Sequence, residues 1–357
     1  MAILVSGGAG YIGSHAARAL RRSGYEAILY DNLSAGNRHL AQGFELIEGD
    51  IADHARLKRV LKRVDAVIHF AAHAYVGESV KNPRKYFDNN VHAALNLLNA
   101  VLDAGIRRFV FSSSCAVYGV PSQIPIAEQT SREPVNPYGV SKLFFESALE
   151  GYASAYGVRS VRLRYFNAAG ADESGEIGEL HNPETHLIPL ALAAATCSGP
   201  ELQIHGSDYP TPDGTCVRDY IHVNDLADAH VRALQYLERD HSSNINDQNS
   251  SPSLALNLGT GRGRSVLEVI QAVETATGRP VRYTLGPRRP GDPPILVADP
   301  NQAQSILGWA AQRNLSDIVS TAWMWMQKTS PGIRRPVSSL RSVDPAADRF
   351  ATSIKRA

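Results

Sequence analysis

The sequence predicts an α/β protein, a doubly wound parallel sheet followed by a smaller C-terminal α/β unit. In the first half, short apolar runs alternate with segments of helical periodicity. The apolar runs are near-continuous, as in strands covered on both faces. Directly after the first run comes a glycine-rich turn, Gly7-Gly-Ala-Gly10-Tyr-Ile-Gly13, which opens the first helical segment.

Taken in order, residues 3–6, 27–30, 44–48, 66–70, 108–112 and 161–165 read as strands. Helical periodicity occupies 12–23, 53–64, 83–104 and 137–156. After Asn167 the pattern loosens. A connection rich in Gly, Glu, Asn and Pro (170–184) leads to a helix over 186–198, and turn residues mark 207–214 as a loop. Residues 223–238 return to helix. The tract 240–253 is polar and reads as a surface insertion, and 254–258 is a late strand that returns to the main sheet. Beyond residue 331, prolines, serines and scattered charges predict a poorly ordered tail, 331–357.

Composition excludes several classes. The 357 residues suffice for two domains or one large α/β unit, and 43% hydrophobic content is that of a globular chain with a real core. Lysine plus arginine (36) nearly cancels aspartate plus glutamate (35), so no basic stripe for nucleic acid is expected. No stretch reaches the roughly 18–20 apolar residues of a membrane span. Met1-Ala-Ile-Leu-Val runs into the glycine turn without a basic leader, which predicts a cytoplasmic protein. Cys115, Cys197 and Cys216 are scattered and odd in number, so neither a disulfide framework nor a zinc knuckle is expected, and no metal site is predicted.

The glycine turn predicts a nucleotide site. Gly7, Gly10 and Gly13, with Tyr11 and Ile12 between them, place backbone amides at a helix N-terminus, where a pyrophosphate binds. This Gly-x-x-Gly-x-x-Gly spacing makes the sheet Rossmann-like. Asp31 ends the second strand, where a carboxylate accepts from ribose hydroxyls and repels a 2′-phosphate. The expected cofactor is therefore NAD, with Arg38 the one neighbouring cation that a 2′-phosphate could use. Asp50-Ile51 and Phe70-Ala71-Ala72 follow the third and fourth strands, at the strand ends where open α/β sheets bind ligands.

Ser114, Tyr138 and Lys142 carry the chemistry. A phenol titrates near pH 10 when unperturbed and is a poor base at neutral pH. A lysine four residues on shares its helix face, and its charge is expected to favour the phenolate. Tyr138 is the only one of 14 tyrosines with a lysine at that spacing. Ser114 closes the run Ser112-Ser113-Ser114 and can hydrogen-bond a substrate hydroxyl while Tyr138 moves its proton.

Over residues 2–328 the chain resembles the UDP-glucose 4-epimerases (UDP-galactose 4-epimerases), a family of extended short-chain dehydrogenase/reductases. The resemblance rests on Gly7 to His15, Asp31-Asn-Leu33, Val76-Gly-Glu-Ser79, Asp88-Asn-Asn-Val91, Phe111 to Ser114, Val117-Tyr-Gly119 and Pro137-Tyr-Gly-x-Ser-Lys142. It continues through Arg164-Tyr-Phe-Asn-Ala-Ala-Gly170, Asp208 to Thr215, Val217-Arg-Asp-Tyr-Ile-His-Val223 and Arg289-Pro-Gly-Asp292. It implies interconversion of UDP-glucose and UDP-galactose through a 4-keto sugar, with Ser114 and Tyr138 at the sugar 4-hydroxyl and Lys142 at the nicotinamide ribose. Asn32, Asn89 and Phe166 would join the cofactor pocket. Asn167, His186, Leu187, Arg218, Arg289 and Asp292 would hold the UDP-sugar, with Leu296 against the hexose. It also implies a homodimer built from 83–104 and 137–156.

The chain departs from its relatives at three of these positions. His186 stands where some members carry Asn, Ala74 where some carry Lys, and Leu296 where others carry Tyr or Cys. A 4,6-dehydratase would need an acidic pair after the serine, where this chain has Cys115 and Ala116. A 4-epimerase of UDP-xylose/UDP-arabinose or of UDP-N-acetylhexosamines is the alternative. On this reading residues 1–170 bind NAD, with 221–262 returning to that unit, and 171–330 mainly bind the UDP-sugar.

Overall fold

The computed structural model describes residues 1–196, 199–239, 253–289 and 291–329. Cys197, Pro290, residues 240–252 of the polar tract and the whole tail 331–357 lie outside the described residues.

Seven parallel strands form the main sheet: β1 (Ala2–Ser6), β2 (Glu26–Asp31), β3 (Glu45–Glu48), β4 (Ala66–His69), β5 (Arg108–Ser114), β6 (Arg159–Tyr165) and β10 (Ser253–Leu258). Their order is β10-β6-β5-β4-β1-β2-β3. Both faces are covered, and the apolar runs divide between them residue by residue. Ile3, Val5, Leu29 and Ile68 pack with α1 (Tyr11–Arg22) and α8 (Val223–Glu238) through Ala17, Leu20, Leu226 and Leu234. Leu4, Ile28, Val67 and Phe109 face α2 (His54–Leu61), α5 (Ala94–Asp103) and α6 (Pro137–Tyr156) through Leu57, Leu97, Val101, Phe145 and Leu149. This alternation is what a strand buried on both faces requires. From β1 the chain turns one way to β2 and β3, and later the other way to β4, β5 and β6. The crevice at this switch lies at the carboxyl ends of the strands.

The smaller unit holds a sheet of β11 (Gly263–Ser265), β9 (Val217–His222) and β13 (Ile295–Leu296), with β7 (Asn167–Ala169) also paired to β9. A two-stranded parallel ribbon joins β8 (Leu202–His205) to β12 (Tyr283–Gly286). Helices α7 (Leu187–Ala194), α9 (Val266–Thr277) and α11 (Leu315–Thr329) enclose a third core through Ile188, Leu192, Val269, Val273, Ile318 and Val319.

Several elements differ from the sequence expectation. The helix expected over 83–104 is broken: α4 (Pro83–Phe87) passes into a π-helical stretch, Asp88–Ala93, before α5. A π segment widens the turn and re-aims the side chains it carries, here Asn89 and Asn90, and such segments often mark functional sites. Strand β5 runs two residues further than expected, to Ser114, because Ser113 and Ser114 pair with Arg164 and Tyr165 of β6. Periodicity had left unassigned α3 (Val76–Lys81), α9, α10 (Asn301–Leu307), α11 and the short strands of the second unit.

A buried polar network ties α6 to the sheet. The Glu146 carboxylate accepts two bonds from Arg164 Nε (2.9 and 3.2 Å), one from its Nη2 (2.6 Å) and one from Ser113 Oγ (2.5 Å). Arg164 Nη1 donates to Tyr118 Oη at 2.8 Å, and that phenol donates to Asn257 of β10 at 2.7 Å. Glu146 and Arg164 are both essentially buried. Each charge is therefore acceptable only because the other meets it with good geometry.

Candidate active site at the carboxyl edge of the sheet

Local sequence sets the position of the Tyr138 pair. Asn136 caps α6 by accepting from Gly139 N at 2.9 Å, and Pro137 occupies the first turn, where its missing N–H costs nothing. Gly139 is required at this point: a Cβ there would stand 2.5 Å from the Ala116 carbonyl oxygen. The start of α6 is thereby pressed against the short 3-10 turn Cys115–Tyr118 that follows Ser114. Ser114 ends β5, and its Oγ accepts from Ala116 N at 3.2 Å.

The structure brings Ser114, Tyr138 and Lys142 together. All three are largely buried. Burial drives the Tyr138 phenol up to about 12, against a hydrogen-bonding contact with Ser114 that favours the phenolate. Lys142 Nζ donates to the Ser112 carbonyl at 2.7 Å and lies 5.8 Å from the centre of the Tyr138 ring. Burial lowers its ammonium to about 7, with Glu146 one turn below opposing the shift. The expectation was that Lys142 would favour the phenolate; burial instead disfavours the charged form of each group, and it is the leading cause of both shifts.

The residues read as cofactor contacts line the switch-point crevice. Gly7 has φ +74°, and a Cβ there would lie 2.5 Å from Ala71 N. At Gly13 a Cβ would reach 2.2 Å from Gly7 O. The loop is thus packed backbone to backbone, with Gly10 as the N-cap of α1 and Tyr11 and Ile12 in its first turn. Tyr11 Oη donates to Gly170 O at 2.6 Å. The Asp31 carboxylate at the end of β2 accepts from Ala9 N (3.0 Å) and Leu33 N (2.8 Å), the latter turn holding Leu33 at φ +58°. Asn32 Nδ2 donates to Asp50 at 2.8 Å, and Ile51 is buried beside them. Arg38, the neighbouring cation that a 2′-phosphate could use, is paired with Glu48, and both side chains are exposed. Phe70 packs against His230 in a tilted contact with ring centroids 4.6 Å apart, and Ala71 and Ala72 follow it at the end of β4. A glycine cradle at a helix N-terminus, with a carboxylate at the end of the next strand, fits NAD.

Asn89 Nδ2 donates to Asn90 Oδ1 at 2.9 Å. Asn90, which the sequence reading missed, accepts from His73 N and donates to His73 O (2.9 Å each) and to Ser141 Oγ (3.2 Å). It clips the loop after β4 to the Tyr138 helix. Glu146, Arg164 and Gly139 were also missed as supports. The spacing Tyr138, Lys142, Glu146 puts all three on one helix face, and that was the available signal.

The residues read as substrate contacts fall on the second unit. Asn167 pairs with Tyr220, and Leu296 lies opposite Arg218 in the β13–β9 register. Leu296 packs on a small core that includes Cys115, Val117 and Phe166, so it borders the Ser114 turn. Arg218 pairs with Asp292, and its charge is felt at Cys115, whose thiol burial nevertheless raises to about 12. Arg289 is exposed. Leu187 begins α7, and His186 is its N-cap. The His186 Nδ1 is occupied by Glu179 (2.7 Å) and Glu184 (3.1 Å), leaving only Nε2 to face a ligand. Those carboxylates overcome burial and raise the imidazole to about 10.

A model of the NAD dependent epimerase/dehydratase family matches residues 3–246. The chain belongs to this family. The UDP-glucose 4-epimerase of Rhizobium meliloti (strain 1021) is 50% identical to this epimerase/dehydratase-family chain over 332 residues, covering 92% of it and 98% of the relative. The crystal structure of UDP-glucose 4-epimerase from Brucella ovis in complex with NAD aligns with a TM-score of 0.85 at 50% identity, over 90% of this chain and 97% of that one. The Stenotrophomonas maltophila UDP-glucose-4-epimerase, solved with NAD and formylated UDP-arabinopyranose, aligns at 0.86 and 42% identity, over 93% and 99%.

The depressed Lys142 predicts a pH dependence in cofactor-free protein. Its amine titrates near 7 when folded and near its usual 10.5 when unfolded, so between these values the unfolded chain binds more protons. The contribution of this group to stability therefore rises with pH across that window. Urea midpoints measured from pH 7 upward should climb more steeply for the wild type than for Lys142→Met. Equal slopes would show that the lysine is not desolvated.

Proposed function

We propose that this chain is an NAD-dependent isomerase that interconverts UDP-glucose and UDP-galactose at sugar carbon 4. The observation that carries the reading is the buried Ser114–Tyr138–Lys142 group, set beside a crevice that fits NAD, in a chain half identical to UDP-glucose 4-epimerases over nearly its full length. NAD, when bound, accepts hydride from sugar carbon 4 and later returns it, and its nicotinamide brings a positive charge to the site. Tyr138 takes the proton of the 4-hydroxyl and returns it to that same oxygen after the 4-keto sugar has turned its other face toward the cofactor, while Ser114 holds that oxygen. Lys142, fixed to the Ser112 carbonyl, positions the cofactor ribose.

Arg218, Asp292, Asn167, Leu187, His186 and Arg289 hold the uridine diphosphate. Guanidinium groups suit phosphate oxygens through paired, charge-assisted bonds. On binding, Arg218 exchanges its Asp292 partner for phosphate. Charged grip is thus confined to the diphosphate, which leaves the hexose free to turn. Water elimination lacks its acidic pair, since Cys115 and Ala116 follow Ser114, and a thiol raised to about 12 is too weak an acid to replace a carboxyl group.

The partner is a second copy of the chain. Supporting this, α3, α4 and α6 expose Val80, Phe87, Val140 and Phe144 on neighbouring helices. We place the enzyme in the cytoplasm, where NAD and UDP-sugars are available. No helix among the described residues is long and apolar enough to cross a membrane.

A second reading, a 4-epimerase of UDP-pentoses or UDP-N-acetylhexosamines, is favoured by one observation: the apolar Leu296 borders the Ser114 turn and leaves sugar size to packing.

Tyr138→Phe should lower kcat by roughly 10²–10⁴-fold with KM little changed, as for loss of a positioned acid–base group. NMR of the products from UDP-galactose reads this directly, and near-native turnover would remove Tyr138 from the mechanism. Leu296→Ser should raise the kcat/KM ratio of UDP-N-acetylgalactosamine to UDP-galactose, within the roughly 10–200-fold that one or two methylenes allow. An unchanged ratio would place the sugar gate elsewhere.

A further inference from the structure

Apart from the Tyr138 centre, four metal-ligating side chains converge on one point in the loop before α7. Glu179, His181, Glu184 and His186 each offer one ligand atom, and these atoms all lie within 4.8 Å of one another. His186 Nδ1 is 2.7 Å from Glu179 Oε1 and 3.1 Å from Glu184 Oε1. His181 Nδ1 is 3.0 Å from Glu179 Oε1 and 3.9 Å from Glu184 Oε2. A tetrahedral ion with bonds of about 2.0–2.1 Å holds its ligand atoms about 3.3 Å apart, and the observed separations bracket that value.

Charge leads to the same place. The Glu179 side chain is 6% exposed, and among the described residues its ionic partners are the imidazoles of His181 and His186. A nearly buried carboxylate needs a cation. The two rings lie with centroids 5.1 Å apart, so one divalent ion between them would meet both carboxylates at once.

The ligands are also oriented from outside. The Glu184 carboxylate accepts from the backbone N–H groups of Thr185 (2.7 Å) and His186 (2.8 Å), and the Glu179 carbonyl accepts from Trp325 Nε1 at 2.8 Å. Tyr75 packs edge-on against His181 with centroids 5.8 Å apart. Such outer contacts fix ligand rotamers in metal sites.

We propose that Glu179, His181, Glu184 and His186 bind one zinc ion. Two imidazole nitrogens and two carboxylate oxygens in a four-coordinate arrangement suit zinc, whereas magnesium and calcium take oxygen sets of higher coordination. The ion fixes the loop Glu179-Leu-His-Asn-Pro-Glu-Thr-His186 and with it the start of α7. Its role is structural.

The test uses untagged full-length protein, treated with chelator, returned to buffer with limiting zinc chloride, and assayed for metal per chain after gel filtration. One zinc per chain with a raised thermal midpoint is expected. Cobalt(II) in its place should give the intense visible bands of four-coordinate cobalt. Glu179→Gln and His181→Ala should each weaken zinc binding by more than the roughly 10–100-fold that loss of an outer contact costs. His92→Ala, an exposed imidazole elsewhere, should bind as the wild type does. No stoichiometric zinc, the weak spectrum of six-coordinate cobalt, or equal binding by the Glu179 and His181 variants would overturn the proposal. If a variant does not fold, the cobalt spectrum of the wild type decides alone.

Discussion

The Arg164–Glu146 ion pair is the constraint on which the site depends. Helix α6 carries a phenol, an ammonium and a carboxylate at Tyr138, Lys142 and Glu146, each one turn below the last and all buried. Three such groups would be intolerable against an apolar sheet. Arg164 neutralises the carboxylate with three contacts, and the Ser112 carbonyl takes up the ammonium. The cost of burying Lys142 is therefore met by its surroundings only in part, which is why its amine is pushed toward neutrality. A group that titrates near the working pH is suited to passing protons.

The same pair ties neighbouring strands of the main sheet to α6. Arg164 reaches Tyr118, and Tyr118 reaches Asn257 on β10, so β5, β6, β10 and α6 share one hydrogen-bonded network. Leu296 and Phe166 pack against the turn that Tyr118 closes. Division of labour follows from this layout. Polar groups that exchange protons sit on the main sheet, and the groups proposed to grip diphosphate sit on β9 and the loops around it.

Much of the main sheet was legible in the residues. Its strands are long apolar runs buried on both faces, and the span of α6 is bounded by Asn136-Pro137 at one end and Gly157 at the other. The site triad was legible because the Tyr138–Lys142 spacing is a single-helix signal. The second unit was hard to read for a physical reason: β7, β11 and β13 have three, three and two residues, too few to show a period. The π stretch at Asp88–Ala93 looks like ordinary helix in sequence, since its apolar spacing is shared with its neighbours. The electrostatics were the least legible. A lysine one turn from a phenol implies attraction, but only the three-dimensional packing shows that both groups are dry and that burial disfavours the charged form of each.

The central claim is that hydride leaves sugar carbon 4 and returns to that same carbon, with Tyr138 handling only the proton. UDP-galactose carrying deuterium at carbon 4, incubated with the enzyme in ordinary water, tests it by NMR of the UDP-glucose formed. Retention of deuterium at carbon 4 of the product is the result predicted. Its replacement by solvent hydrogen, or its appearance at another carbon, would contradict the account.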